Sequence, residues 1–334
     1  MGFCVPAPVI AQHLPGLQYC RLLGPLFDHL PAVGTTRDRA GNRQLFSDQY
    51  ATLLLLSFFN PTVTSWRGLQ QMPTFAHVQA PFGIRRTSLG ALSEAASVFD
   101  AALLHTVLTA LSAQRQPHLS GAAQAALVSL TAVAGSLLPA WPRMLWAVWQ
   151  DEQHRAAKMH VAFAVLRHGP VDVTVTAGNA SERAELRRLV QPGGFYVFDR
   201  GYIDYDLFQE LHDLPCSFLG RVKANVSYEV QEEHPVSAAA RAAGVERDVV
   251  LRRLGTAHHT RLLPQPFRLV QVATGKTDAQ GTPEVMVLVT NRLDLDAELV
   301  ALAYRYRWAV EMCQTQPIKM TWCPLRLFRR TKRH

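Results

Sequence analysis

Apolar residues in the first third of the chain recur at helical spacing. Ser47 and Asp48 precede Tyr50, Leu53, Leu54, Leu56 and Phe58, and Asn60-Pro61 ends the run, which predicts a capped helix. A second helix is predicted to start near Ser88 to Ser93, with Leu92, Ala95, Ala96, Phe99, Leu103 and Leu104 on one face, after Arg85 and Arg86. The stretch His118 to Gly121 reads as a boundary. Residues 1–120 therefore read as an all-helical region, and a small DNA-binding domain and a helical cap both fit it.

Beyond that boundary the period shortens. TAVAGSLL reads as a buried strand, and MHVAFAVLRHG and PVDVTVTAG as two strands of a hairpin joined at Gly169-Pro170. Ser181 opens a helix that ends near Val190, closed by Pro192-Gly-Gly. FYVFD follows as a continuous apolar strand, then a helix from about Asp204 to His212, then the strand CSFLGRVKA. Strand, hairpin, helix, strand, helix, strand is the order of a ribonuclease-H-like α/β fold with a mixed sheet. Residues 121–224 form the first part of this core. Residues 225–283 read as a β-rich insertion (YEV, DVVLRRL, FRLVQVA), and residues 284–312 complete the core with the strand EVMVLVTN and a helix from about Asp296 to Val310.

Composition narrows the function classes. Hydrophobic residues make up 48% and charged residues 18% of 334 residues, enough to bury a sizeable core. The formal net charge of +8 and a pI near 9.5 favour a polyanionic partner, though a merely basic protein has the same balance. The scattered Cys4, Cys20, Cys216, Cys313 and Cys323 form no C-x2-C pair, so neither a disulfide framework nor a zinc site is expected. The longest apolar run, Leu53 to Phe59, is too short to cross a bilayer, and the N-terminus lacks a signal-peptide or myristoylation pattern. A cytoplasmic, nucleoid-associated protein with no membrane partner is the expectation.

Two features carry chemistry. Asp199 follows the apolar strand FYVF, at the carboxyl end where α/β sheets collect catalytic groups. A helix-capping aspartate is the plain alternative, but Asp204 is better placed to cap the next helix, which leaves Asp199 without an evident structural duty. In the later helix Tyr304, Arg307 and Glu311 fall within roughly 60° of one another at about 100° per residue. Arg and Glu make a poor core stripe, and the alternative is a solvated face carrying an Arg307–Glu311 ion pair.

The segments AGNASERAEL, FYVFDRGYIDYDLF, LGRVKANVSYEV and VTNRLDLDAELVALAYRYRWAVE resemble, in order, the insertion-sequence-four family of bacterial DDE transposases. The resemblance runs over roughly residues 85 to 311, and Tyr304-x2-Arg307-x3-Glu311 fits most of that family's Y-x2-R-x3-E-x6-K signature. It implies a ribonuclease-H-like fold with a β-rich insertion before the glutamate helix. It also implies a DNA transposase that cleaves and transfers strands by phosphoryl transfer, with Asp199 and Glu311 as catalytic metal ligands. Two Mg2+ (or Mn2+) ions are implied as cofactors, and Arg200, Tyr304, Arg307 and Lys319 as DNA contacts. The implied partners are double-stranded DNA, as terminal inverted repeats and target, and a second copy of the chain when DNA is bound.

The sequence departs from the family in two places. Where the family has A-V-D-G-S, this chain reads Ala132-Val133-Ala134-Gly135-Ser136, so Ala134 stands at the first catalytic aspartate. Asp151 and Glu152 lie beyond Pro142 and Asp172 opens another strand, so catalysis is expected to fall by orders of magnitude. The family's lysine would fall at Ile318, and Pro317 breaks the helix before Lys319. Residues 313–334 carry six Lys and Arg and no acid, with no helical period. The expectation is a frameshifted, truncated copy, either an impaired transposase or a non-catalytic DNA-binding inhibitor of transposition. A natural basic tail is the plain alternative.

Overall fold

The computed structural model describes residues 45–311, apart from 60–62, 64, 75–77, 79–83, 99–102, 115–120, 140–146, 148–154, 257–258, 278–280 and 282. The described residues divide into two compact units, drawn from residues 1–111 and 112–313. In the first, α1 (Ser47–Phe59), α2 (Trp66–Gln71) and α3 (Leu89–Val98) surround a small core. Leu53, Leu56, Leu69, Met72, Ile84 and Leu92 are buried there together. The single helix expected from Ser88 to Leu104 is two helices, α3 and α4 (Leu103–Gln114), separated by residues outside the description.

The second unit is built on one nine-stranded sheet. After α5 (Gly121–Leu127) come β1 (Leu130–Pro139), β2 (Ala156–Ala164) and β3 (Gly169–Ala177) as an antiparallel meander. The turn occupies residues 165–168, with His168 at φ 47, and Gly169 and Pro170 already belong to β3. Sequence reading placed the turn at that Gly-Pro pair. Proline is tolerated inside β3 because this strand is the sheet edge and its pairing with β2 is irregular beside Pro170.

Two βα units follow. Ser181 accepts a hydrogen bond from Ala184 N and caps α6 (Glu182–Leu189). β4 (Phe195–Phe198) leads through a 3-10 turn (Arg200–Tyr202) to α7 (Tyr205–Asp213), and β5 (Ser217–Val222) returns. β4 lies parallel to both β1 and β5. The order β3-β2-β1-β4-β5, antiparallel then parallel, is the ribonuclease-H-like core expected from the sequence.

The β-rich segment extends this same sheet. β6 (Ser227–Glu233), β7 (Val245–Thr256) and β8 (His259–Thr277) run antiparallel, and β9 (Pro283–Thr290) joins them to β5. Within it lies α8 (Ala238–Ala242), which sequence reading missed although Ser237 caps it through Ala240 N at 3.0 Å and Gly244, at φ +89, ends it. Alternation along the strands divides the core. Val133, Tyr196, Phe198 and Phe218 pack under Leu186 of α6 and Leu207, Phe208 and Leu211 of α7. Leu130, Ala132, Ala134, Phe195, Val197 and Leu219 face the other way, under α9 (Ala297–Arg305). A buried ion pair anchors α9: Arg268 holds both Asp248 oxygens, at 2.7 and 2.6 Å, and donates to the Leu295 carbonyl just ahead of the helix.

Candidate active site

Strand register fixes the centre of the site. Leu130, Thr131, Ala132 and Val133 of β1 pair in parallel with Phe195, Tyr196, Val197 and Phe198 of β4. One further step sets Ala134 level with Asp199. Leu130, Ala132 and Ala134 share a face with Phe195 and Val197, so alternation brings positions 134 and 199 side by side on the α9 face. Ala134 is 8% exposed, so a methyl group occupies the place where sequence resemblance put an aspartate.

Asp199 has a structural role that sequence reading denied it. Asp204 does cap α7, through Asp206 N at 3.0 Å and Leu207 N at 3.4 Å. Yet Asp199 also caps the 3-10 turn, accepting from Arg200 N at 2.6 Å. Capping engages Oδ1 of a carboxylate that stands at a strand terminus. The turn is braced by Glu182, whose carboxylate lies against Gly135 of β1 and against Gly201, and Lys158 pairs with it at 3.5 Å. A side chain at either glycine meets that carboxylate. The role of Glu182 was not legible in the sequence, because it depends on two glycines 66 positions apart meeting one helix start.

From the α9 side come Tyr304, Arg307 and Glu311. The helix is interrupted at Tyr306 and resumes over residues 307–311, while sequence reading ran it unbroken to Val310. Tyr304 and Arg307 are 2% and 3% exposed while the Glu311 side chain is partly exposed, so this face is buried at its first two positions and reaches solvent at the third. The alternative's ion pair is nonetheless present, with Arg307 Nη1 donating to Glu311 Oε1 at 2.5 Å. Burial pushes the Tyr304 phenol up to about 12, and the negative charge of Asp199 adds to the rise. Arg307 is held above its ordinary value although burial opposes its charge, chiefly through the Glu311 hydrogen bond, with Tyr304 and Asp199 contributing. Asp199 is therefore within electrostatic reach of Tyr304 and Arg307.

The remaining expected site residues are placed otherwise. Arg200 lines a separate cleft of about 380 Å3 with Arg183, Lys223 and Asn225. Lys319, Ile318 and Pro317 lie outside the described residues, as do Asp151 and Glu152. Among the described residues no group of three His, Cys, Asp or Glu side chains is arranged to hold a metal ion. Two carboxylates and a methyl group do not amount to the donor set that two hard cations require.

Comparison with known proteins places this arrangement. The family profile described as Transposase DDE domain matches residues 129–312. The protein y4zB of Sinorhizobium fredii (strain NBRC 101917 / NGR234), whose name assigns it to the transposases, is 25% identical over 200 residues. That alignment covers 59% of this chain and 52% of y4zB, so the chain spans about half the length of this relative. The cryo-EM structure of a piggyBac transposase synaptic complex with hairpin DNA aligns at TM-score 0.45 and 10% identity, over 95% of this chain and 74% of the other, too loosely to bear on fold or function. Among the described residues no helix is long and apolar enough to cross a membrane. Residues 129–312 are more than half the chain and include every element from β1 to Glu311, and the chain accordingly belongs to the transposase DDE-domain family.

Proposed function

We propose that this chain acts on the ends of a transposable DNA element as a DDE transposase of the insertion-sequence-four type, with its strand chemistry impaired by Ala134. The observation that carries the reading is the register that sets Ala134 beside Asp199 on the face roofed by Tyr304, Arg307 and Glu311. Asp199 and Glu311 are the retained carboxylates. Arg307 brings guanidinium donors to a scissile phosphate, and Tyr304 stays protonated at every physiological pH and can donate there. Arg200, with Lys223 and Arg183, meets backbone phosphates from the second cleft, and Lys319 adds charge from the tail. The family chemistry requires divalent ions, with Mg2+ or Mn2+ expected, and an aspartate at 134 is what the present residues lack to hold them. Two copies pairing two DNA ends is the assembly we expect.

The missing carboxylate favours a second reading. The chain binds transposon ends without cutting them and inhibits an intact enzyme, alone or in mixed dimers. A strand-cleavage assay on a terminal-repeat duplex with Mg2+ or Mn2+ tests both. Native chain that binds in a gel shift without cleaving, and an Ala134→Asp variant that cleaves at least about 100-fold faster, are the expected results. Efficient cleavage by the native chain contradicts the impairment, and no DNA binding by either protein contradicts both readings.

A further inference from the structure

The nine-stranded sheet ends in β3 on one side and β6 on the other, and among the described residues no strand lies beyond either. An edge strand turns alternate backbone N–H and C=O groups outward, where another strand can pair with them. The two edges differ in their defence against this. β6 breaks register with β7 at two places, carries Glu229, Glu232 and Glu233, and is followed by Pro235. Bulges, repeated like charges and proline all oppose the approach of a further strand.

β3 has no such defence along its regular stretch. Asp172 to Ala177 pair with β2 in unbroken register, the irregularity beside Pro170 lying before them. Val173, Thr174, Val175 and Thr176 are all β-branched, and such residues favour the extended chain. Val173 and Val175 lie on one face, Asp172, Thr174 and Thr176 on the other, and Val175 is 51% exposed. Asp172 is the sole charged residue of the strand, and Arg188 of α6 meets it at 3.0 Å.

Such an edge is its own complement. Two copies related by a two-fold axis at Thr174 pair antiparallel, with Val173 against the second copy's Val175, Thr174 against Thr174 and Asp172 against Thr176. Apolar side chains then meet on one face and hydrogen-bonding ones on the other, and the two Asp172 carboxylates stand roughly 14 Å apart along the strands. Moving the axis toward Asp172 draws like charges together, and moving it toward Ala177 shortens the paired stretch, so this register is selected. We infer that β3 is an interface between two copies of this chain, which joins their sheets into one through antiparallel β3 pairing. The contact uses up both β3 edges and β6 is blocked, so association stops at two copies. It needs no DNA, which separates it from the pairing on DNA ends proposed above.

Sedimentation velocity of the full chain, in reducing buffer without DNA, tests the interface. The native chain forms a concentration-dependent dimer and no larger species. Val175→Lys puts a charge on the edge and weakens the dimer by about 10-fold or more, Val175→Thr keeps it within about threefold, and Val230→Lys on β6 leaves it unchanged. Val175 is exposed, so its replacement preserves the circular dichroism spectrum. Under mild oxidation Thr174→Cys gives a cross-linked dimer, because residues opposed at the axis have Cβ atoms about 5 Å apart. Ala177→Cys, roughly 20 Å from its copy, adds no cross-link beyond that of the native cysteines. A native chain that stays monomeric at about 100 µM, a dimer indifferent to Val175→Lys, or equal cross-linking at 174 and 177 overturns the inference. Growth beyond two copies overturns it as well. A dimer that appears only with DNA overturns the β3 interface and leaves the pairing of DNA ends standing.

Discussion

At residue scale, position 134 decides what the site can do on the proposed reading. A carboxylate there lies beside Asp199 in a place that is 8% exposed, so two like charges meet at low dielectric. Ala134→Asp is therefore expected to lower stability by about 1–3 kcal/mol in a chelator and to recover it when Mg2+ is added. Thermal melts with and without the ion read this out, and a melt indifferent to Mg2+ contradicts it. His160 gives a second prediction. It is 4% exposed on β2, opposite Gly135, and burial holds its pKa below the ordinary 6.5. The unfolded chain takes up this proton as pH falls through 6.5 while the folded chain refuses it. His160 thus costs nothing above that pH and destabilises progressively below it. The thermal midpoint of His160→Gln should fall less than that of the native chain between about pH 7.5 and 5.5, and equal falls contradict the assignment.

At the scale of elements, the site depends on how strands and helix ends are held. A Cβ at Gly220 comes within 2.8 Å of the Phe198 ring and 3.1 Å of Ile203, the residues that flank the Asp199 turn in sequence. Gly220→Ala is expected to cost about 1–3 kcal/mol and to shift the Asp199 turn, as urea unfolding and the solved variant can report. Asp248→Ala leaves Arg268 buried and unpaired ahead of α9, at about 3–5 kcal/mol, and the double change Asp248→Ala, Arg268→Met recovers part of the loss. The strands and helices around Asp199 and Glu311 were legible in the sequence because each is a local pattern: FYVF is continuously apolar, Ser181 and Asp204 are caps, and the Tyr304–Arg307–Glu311 stripe is periodic. What escaped depends on tertiary meeting. The pairing of β9 with β5 makes the insertion part of the core sheet, and no local period encodes that. The capping duty of Asp199 was missed because only an α-helix was considered after it, and the break at Tyr306 leaves no proline or glycine signal.

For the whole molecule, charge and vacancy act together. The chain carries a net charge of +8, and two clefts with basic linings flank the sheet near Asp199 and Arg307. Duplex binding should weaken by about 10-fold or more between roughly 50 and 200 mM salt, and salt-independent binding contradicts a phosphate-led interface. On the proposed reading, DNA binding and strand chemistry rest largely on different residues, so a chain can keep one and lose the other. On that same reading, position 134 is the missing carboxylate of a site shared with Asp199 and Glu311. Mn2+ binding to the protein, followed by electron paramagnetic resonance, tests it without requiring cleavage. Ala134→Asp should bind Mn2+ at least about 10-fold more tightly than the native chain, and adding Asp199→Ala should abolish the gain. Equal affinity for native and Ala134→Asp, or a gain that survives the loss of Asp199, contradicts it.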